Sequence, residues 1–238
     1  MTAARIGLAR TGASLATPPL LDFKLAHSRA RDAVLEPLDE ARLLADLAGL
    51  SDPVLSVASA AGDRQSYLMR PNLGRRLAEN GAALPAPQAG RYDVAFVVAD
   101  GLSARAVQQH ARPVLARTIE TLRAEHWQIA PLVVVRHGRV AIGDAIASAF
   151  NAACVAILIG ERPGLSAADS MGAYLTWQPD AATTDADRNC ISNIRPGGIG
   201  YADAAFKIAY LLRAMRARRL SGVRLKDDSD RLLATRAI

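Results

Sequence analysis

The chain has 238 residues and only two cysteines, Cys154 and Cys190. One lies in an apolar run and the other in a polar stretch, a spacing that fits neither a disulfide framework nor a metal site. No apolar run approaches the roughly 20 residues of a membrane-crossing helix; the longest is Ala152 to Ile159. The N-terminus carries Arg5 and Arg10 without the apolar core of a signal peptide, so a cytoplasmic protein with no membrane partner is expected. Neither G-x-G-x-x-G nor the Gly-rich loop ending in Gly-Lys-Ser/Thr occurs, which removes the two best-specified phosphate cradles. G-x-S-x-G is absent, and His27, His110, His126 and His137 have no metal-ligand spacing. No catalytic and no metal-ligating residue is assigned to this chain.

Positive charge is in excess: 29 Lys and Arg against 23 Asp and Glu, a formal charge of +6. Such a balance suits nucleic acid, an acidic partner or a phosphate-bearing ligand. The arginines are dispersed among acidic residues, and the densest group, Arg216, Arg218 and Arg219, falls in the last turns of a predicted helix, where the helix dipole favours cations. No nucleic-acid partner is therefore expected.

The pattern from the N-terminus reads as a flexible lead-in to about residue 16. A helix opened by Pro18 and Pro19 follows, with Leu20, Leu21, Leu25 and Ala26 on one face, running to about Val34. A second helix spans about Asp39 to Leu50, and alternation over Val54 to Ser59 suggests a strand. Asp63 to Arg76 is polar and basic, either a solvated face or a loop that pins a subunit or a ligand phosphate; a helical stretch to Asn80-Gly81 follows it. Ala82 to Gly90, with two prolines, reads as a linker.

From Tyr92 the chain repeats strand and helix. Strands are expected at Asp93 to Ala99, Leu132 to Val135, Cys154 to Ile159 and Ala173 to Trp177, with Ser103 capping a helix that runs to about His126 and restarts at Pro113. Gln178 to Gly200 reads as a polar loop, Tyr201 to Arg219 as the last helix, and the charged tail as loosely attached. The fold class is α/β: an N-terminal helical segment, residues 1–90, followed by a Rossmann-like domain, residues 91–238, with a mostly parallel sheet flanked by helices.

The stretch Val133 to Gly164 concentrates what a ligand needs. It holds two apolar strands, the basic turn Arg136-His137-Gly138-Arg139, and the terminus Gly160-Glu161-Arg162-Pro163-Gly164. Ligands bind outside the carboxyl ends of strands in open α/β sheets, so Asp100-Gly101 and Gly160-Glu161 form a candidate shared site. Gly197-Gly198-Ile199-Gly200 either turns the chain or lets backbone N–H groups approach an anion. Cys190 is either a nucleophile or a packed contact residue. These residues describe an arginine-rich crevice without a self-contained catalytic set, which suits a binding or partner subunit. A stand-alone nucleotide-binding module is the alternative.

Four ordered motifs sharpen this: Asp63-Arg64-x5-Arg70-Pro71-Asn72-Leu73-Gly74-Arg75-Arg76, Asp100-Gly101-Leu102-Ser103, Gly160-Glu161-Arg162-Pro163-Gly164-Leu165 and Asp187-Arg188-Asn189-Cys190-Ile191-Ser192-Asn193-Ile194. Over about Leu20 to Arg219 the chain resembles the small (light, β) subunit of ethanolamine ammonia-lyase. The resemblance implies an adenosylcobalamin-dependent lyase of ethanolamine degradation, which converts ethanolamine to acetaldehyde and ammonia. A TIM-barrel large subunit binds the substrate, and the small subunit covers the cobalamin at their interface in a hexamer of heterodimers. The cofactor contacts that it implies are Val140, after the basic turn; Glu161; and Cys190, placed by the flanking Arg-Asn-Cys-Ile-Ser-Asn. D-x-H-x-x-G, by which some cobalamin proteins supply a histidine to cobalt, is absent, so the cofactor is expected to keep its own benzimidazole. Longer family members carry an N-terminal extension linked to solubility and packaging. A cytoplasmic location is expected for this chain, which starts almost at its first helix, with a bacterial microcompartment as the alternative.

Overall fold

The computed structural model describes residues 8, 10–79, 84 and 92–236. Most of the expected linker, and residues 1–7 and 9 of the lead-in, lie outside the described residues. The rest of the lead-in is structured: Arg10–Thr11 (β1) and Ser14–Leu15 (β2) pair as an antiparallel hairpin. Helix α1 (Thr17–Leu35) takes its prolines in the first turn, where the missing N–H groups cost nothing. Its buried residues are Ala26 and Ala33, while Leu21, Phe23, Leu25 and Leu35 stay exposed; of the expected face only Ala26 is buried and Leu20 half-buried among the described residues. In α2 (Glu40–Leu47) the Asp39 carboxylate accepts the Arg42 N–H at 3.1 Å, and Leu43 and Leu47 enter the core.

A six-stranded sheet has the order β3 (Val54–Ala58), β5 (Leu132–Arg136), β4 (Val94–Ala99), β6 (Cys154–Gly160), β7 (Met171–Trp177), β8 (Arg188–Ile194). The first four are parallel; β7 and β8 are antiparallel. Every residue of β4 and β6 is buried, which is why both read as unbroken apolar runs rather than alternating ones. Along β4, Val94, Phe96 and Val98 face one core with α4 (Ala104–Ala124) and α6 (Tyr201–Arg218), while Ala95, Val97 and Ala99 face a second with α5 (Ile142–Ala149). Fully burying a side chain such as Phe96, Leu115 or Ile146 contributes about 1.5–3 kcal/mol.

The connections fix where a ligand can enter. From β4 the chain crosses by α4 to β5; from β5 it crosses back by α5, on the other face, to β6 beyond β4. This reversal opens a crevice at the carboxyl ends of β4, β5 and β6.

Several expectations are corrected. The supposed polar loop Gln178 to Gly200 contains β8. It turns antiparallel because short hairpin-like connections cannot bridge parallel neighbours. Pro113 does not restart a helix but lies within a continuous α4. The run after Asp63 forms α3 (Arg64–Met69) and a single tight turn at Leu73–Arg75. Among the described residues no helix follows it: Leu77 bridges to Ser59, and Ala78 N–H donates to the Ala58 carbonyl at 3.0 Å. The tail is anchored rather than loose. Leu225 and Ser229 are buried, and the Lys207 ammonium reaches Asp230 at 2.6 Å and Ser229 at 3.0 Å in the first turn of α7 (Ser229–Arg236). Among the described residues no helix is long and apolar enough to cross a membrane.

Candidate functional site

Two strand-end loops meet at the crevice because both supply glycine. Gly101 has φ +54°, and a Cβ there would lie 2.3 Å from the Gly160 carbonyl; a Cβ on Gly160 would lie 2.1 Å from the Ser103 carbonyl. The contact is closed by the Leu102 N–H donating to the Gly160 carbonyl at 2.9 Å. The Asp100-Gly101 and Gly160-Glu161 termini thus meet directly. Asp100 itself points away from the opening. Its buried carboxylate accepts the Gly138 N–H at 3.2 Å and lies 3.6 Å from Arg64. Burial raises its pKa above the ordinary carboxylate value, and Arg64 opposes that rise.

Below the basic turn sits Tyr67 of α3, fully enclosed, donating its hydroxyl to the Gly138 carbonyl at 3.3 Å. Burial pushes its pKa up to about 12, so the phenol remains a neutral donor. Arg64 and Arg139 flank its ring, at 5.0 and 4.4 Å from the centroid. Arg64 also donates to the Val34 and Gly101 carbonyls, at 2.8 and 2.7 Å. The basic run is thus divided: Tyr67 and Gly74 are buried and Arg64 half-buried, while Asp63, Arg70, Arg75 and Arg76 are exposed. It folds over the strand ends and shapes the β5–α5 turn.

The resulting cavity, about 510 Å³, is lined by Leu102, Val140, Ala141 and Ile159 on its apolar floor. Tyr67, Arg75 and Arg139 form one end; Glu161, Tyr174, Asp185 and Ser192 contribute the polar remainder, with Gly160 and Arg162. The volume falls within the roughly 300–1,000 Å³ of small-molecule pockets.

Val140, half-buried, and Glu161 both line this cavity. Glu161 is held by three donors: Ser170 and Ser192 hydroxyls at 2.5 Å each, and the Asn193 N–H at 3.1 Å. Its Oε2 takes two of these and Oε1 one, so Oε1 keeps an acceptor position. Cys190 is not among the lining residues. It is exposed on β8, opposite Tyr174 in register, and its thiol meets the Tyr174 hydroxyl. Partial burial of the sulfur, with Glu161 nearby, raises the thiol pKa above its ordinary value. A protonated thiol is a poor nucleophile.

Other sequence features serve the frame. Gly197 and Gly198 make a turn: a Cβ on Gly198 would lie 2.2 Å from the Asn193 carbonyl, and its N–H donates to the Arg195 carbonyl at 3.0 Å. His137 meets the Ala61 carbonyl at 3.1 Å through Nδ1 and is not in the lining. Arg216 stacks over Trp127 at 4.5 Å and faces Asp93 at 3.7 Å. Arg188 makes a buried bidentate pair with Asp144, at 2.7 and 2.6 Å, and reaches Thr176 at 3.1 Å. That pair ties β8 to the first turn of α5, joining the two walls of the cavity. Sequence reasoning missed Tyr67, Tyr174 and Ser192 as lining residues. Tyr67 and Ser192 stand inside the noted motifs, but Tyr174 carried no signal beyond its strand.

Comparison with known proteins gives one consistent result. The family Ethanolamine ammonia-lyase light chain (EutC) matches residues 1–226. The chain is 51% identical over 233 residues to a protein named ethanolamine ammonia-lyase small subunit from Pseudomonas fluorescens, covering 96% of this chain and 85% of that one. It is 50% identical over 234 residues to the similarly named protein of Ralstonia nicotianae, covering 97% and 87%, and to that of Pseudomonas aeruginosa, covering 97% and 86%. A match of this extent means that the chain belongs to the ethanolamine ammonia-lyase light-chain family.

Proposed function

We propose that this chain is the non-autonomous small subunit of an adenosylcobalamin-dependent ethanolamine ammonia-lyase. It would grip the cofactor in the strand-end cavity while a large subunit binds ethanolamine and surrounds the reacting face. The observation that carries this reading is the family match together with a cavity built from the motifs that define the resemblance. When bound, the cofactor supplies homolysis of its cobalt–carbon bond, while the protein provides binding, orientation and exclusion of water.

The lining fits a corrinoid. Val140, Ala141, Leu102 and Ile159 offer an apolar floor, Glu161 Oε1 an acceptor for an amide N–H, and Tyr174 and Ser192 a polar rim, with Cys190 beside Tyr174 outside the lining. A corrinoid with its nucleotide tail exceeds a cavity of about 510 Å³, which supports enclosure completed by a second chain. The N-terminal region, residues 1–90, is proposed to contribute to that interface, a role suited to the exposed Leu21, Phe23 and Leu25 of α1. Assembly as a hexamer of heterodimers, and either a cytoplasmic or a microcompartment location, are carried by family resemblance.

Co-expression with a large subunit tests the reading. The two chains are expected to co-purify and to release acetaldehyde from ethanolamine only with adenosylcobalamin. A stable pair without cofactor-dependent turnover overturns the proposal.

A further inference from the structure

The cavity is electrically lopsided. Among the described residues, no carboxylate pairs with Arg75, Arg139 or Arg162, although all three line it. Arginines of the surrounding frame do have partners: Arg64 with Asp100, Arg188 with Asp144, Arg195 with Asp169. The acidic residues of the lining sit with the polar remainder. Glu161 is committed to its three donors, and Asp185, largely exposed, faces Arg188 at 3.6 Å.

Arg139 is also held in place before any ligand arrives. Its backbone N–H donates to the Gly74 carbonyl at 2.8 Å, and its Nη2 donates to the Tyr67 carbonyl at 3.0 Å. One face of the guanidinium lies against the Tyr67 ring. A Cβ on Gly74 would come within 2.9 Å of its Cγ, so glycine is what lets the Leu73–Arg75 turn close on it and bring Arg75 to the same end. Its Nε is buried and has no hydrogen-bond partner among the described residues. A planar guanidinium pre-ordered beside a second arginine, neither with a carboxylate partner among the described residues, suits an oxyanion.

The geometry points to Arg75 and Arg139 as the subsite for the phosphodiester of the ligand, leaving the Glu161, Tyr174 and Ser192 region for uncharged amides and hydroxyls. This rests on the cobalamin reading, and it gives the ligand a direction: the nucleotide tail lies toward α3 and the corrin rim toward β7 and β8.

Cobinamide, which keeps the corrin but lacks the nucleotide and its phosphodiester, separates the two ideas. In the complex with the large subunit, Arg139→Ala and Arg75→Ala are expected to weaken cobalamin binding by about tenfold or more, the scale of one charge-assisted contact, and to leave cobinamide titration unchanged. Arg139→Lys, which keeps the charge but loses the fork, is expected to fall between. If Arg139→Ala does not assemble, the exposed Arg75→Ala carries the same comparison. Equal weakening of both corrinoids overturns the subsite, as does a wild-type complex that binds cobalamin and cobinamide equally while the cobalamin reading stands. A wild-type complex that binds neither overturns the cobalamin reading, and this assignment with it.

Discussion

Glu161 shows how one residue can hold both a ligand surface and the fold. Its carboxylate gathers Ser170 ahead of β7 and Ser192 and Asn193 on β8, so it clamps the antiparallel hairpin to the end of β6. Glu161→Ala is therefore expected to cost about 0.5–1.5 kcal/mol, the net worth of an exposed hydrogen bond such as that from the Asn193 N–H, and to weaken cobalamin binding as well. Glu161→Gln retains an acceptor oxygen for that N–H and an amide that Ser192 can accept, and should restore most of the stability. Thermal melts and cobalamin titrations of the reconstituted complex read the two effects separately; an unchanged titration with an intact complex would remove Glu161 from the contacts. The sequence marked this residue by its place after Gly160. It could not reveal the clamp, because two of the three partners belong to a strand 31 and 32 residues away.

At the scale of elements, the parallel strands were legible and the antiparallel edge was less so. Val94–Ala99 and Cys154–Gly160 are buried on both faces and announce themselves as apolar runs. In β8, by contrast, Arg188, Ile191 and Ile194 are buried while Cys190, Ser192 and Asn193 are exposed, a spacing of three that hides the period of a strand. Its pairing with β7 also shifts register between Met171 and Ala173. A buried arginine anchors this edge, and its energetics can be tested. Asp144→Ala would strand the Arg188 charge in the interior, at a cost of roughly 3–5 kcal/mol. The double variant Asp144→Ala with Arg188→Met should recover much of that loss in urea denaturation. If both variants melt like the wild type, the pair does not hold β8 to α5.

For the whole molecule, stability should depend on pH through a cluster that sequence spacing did not suggest. His110 of α4 is buried with its Nδ1 2.9 Å from the Tyr201 hydroxyl and its Nε2 3.5 Å from Asp169, which in turn pairs with Arg195 at 3.1 Å. Burial lowers the His110 pKa below its ordinary 6.5, against the pull of Asp169 and with a smaller push from Arg195. The folded chain thus holds fewer protons than the unfolded one as pH falls through 6.5. The stability contribution is complete above that value and declines toward the lowered folded pKa. The melting temperature is expected to drop between about pH 7 and pH 5, and His110→Gln should flatten that part of the profile. An unaltered profile in the variant would assign the drop to other groups.

What the sequence alone determined was the α/β class, the parallel strands, and the strand-end glycines and charges, because these depend on local hydrophobic pattern and on backbone freedom at single positions. It also carried the family. Only the tertiary structure decided that the basic run folds beneath the β5–α5 turn, that Tyr67 sits between two arginines, and that Cys190 stands on an edge strand beside Tyr174 rather than in a loop. Apart from Arg64, which neighbours Tyr67 within α3, those arrangements join residues 16 to 72 positions apart. Which distant groups meet is set by packing and crossover direction, and neither leaves a periodic trace in the chain.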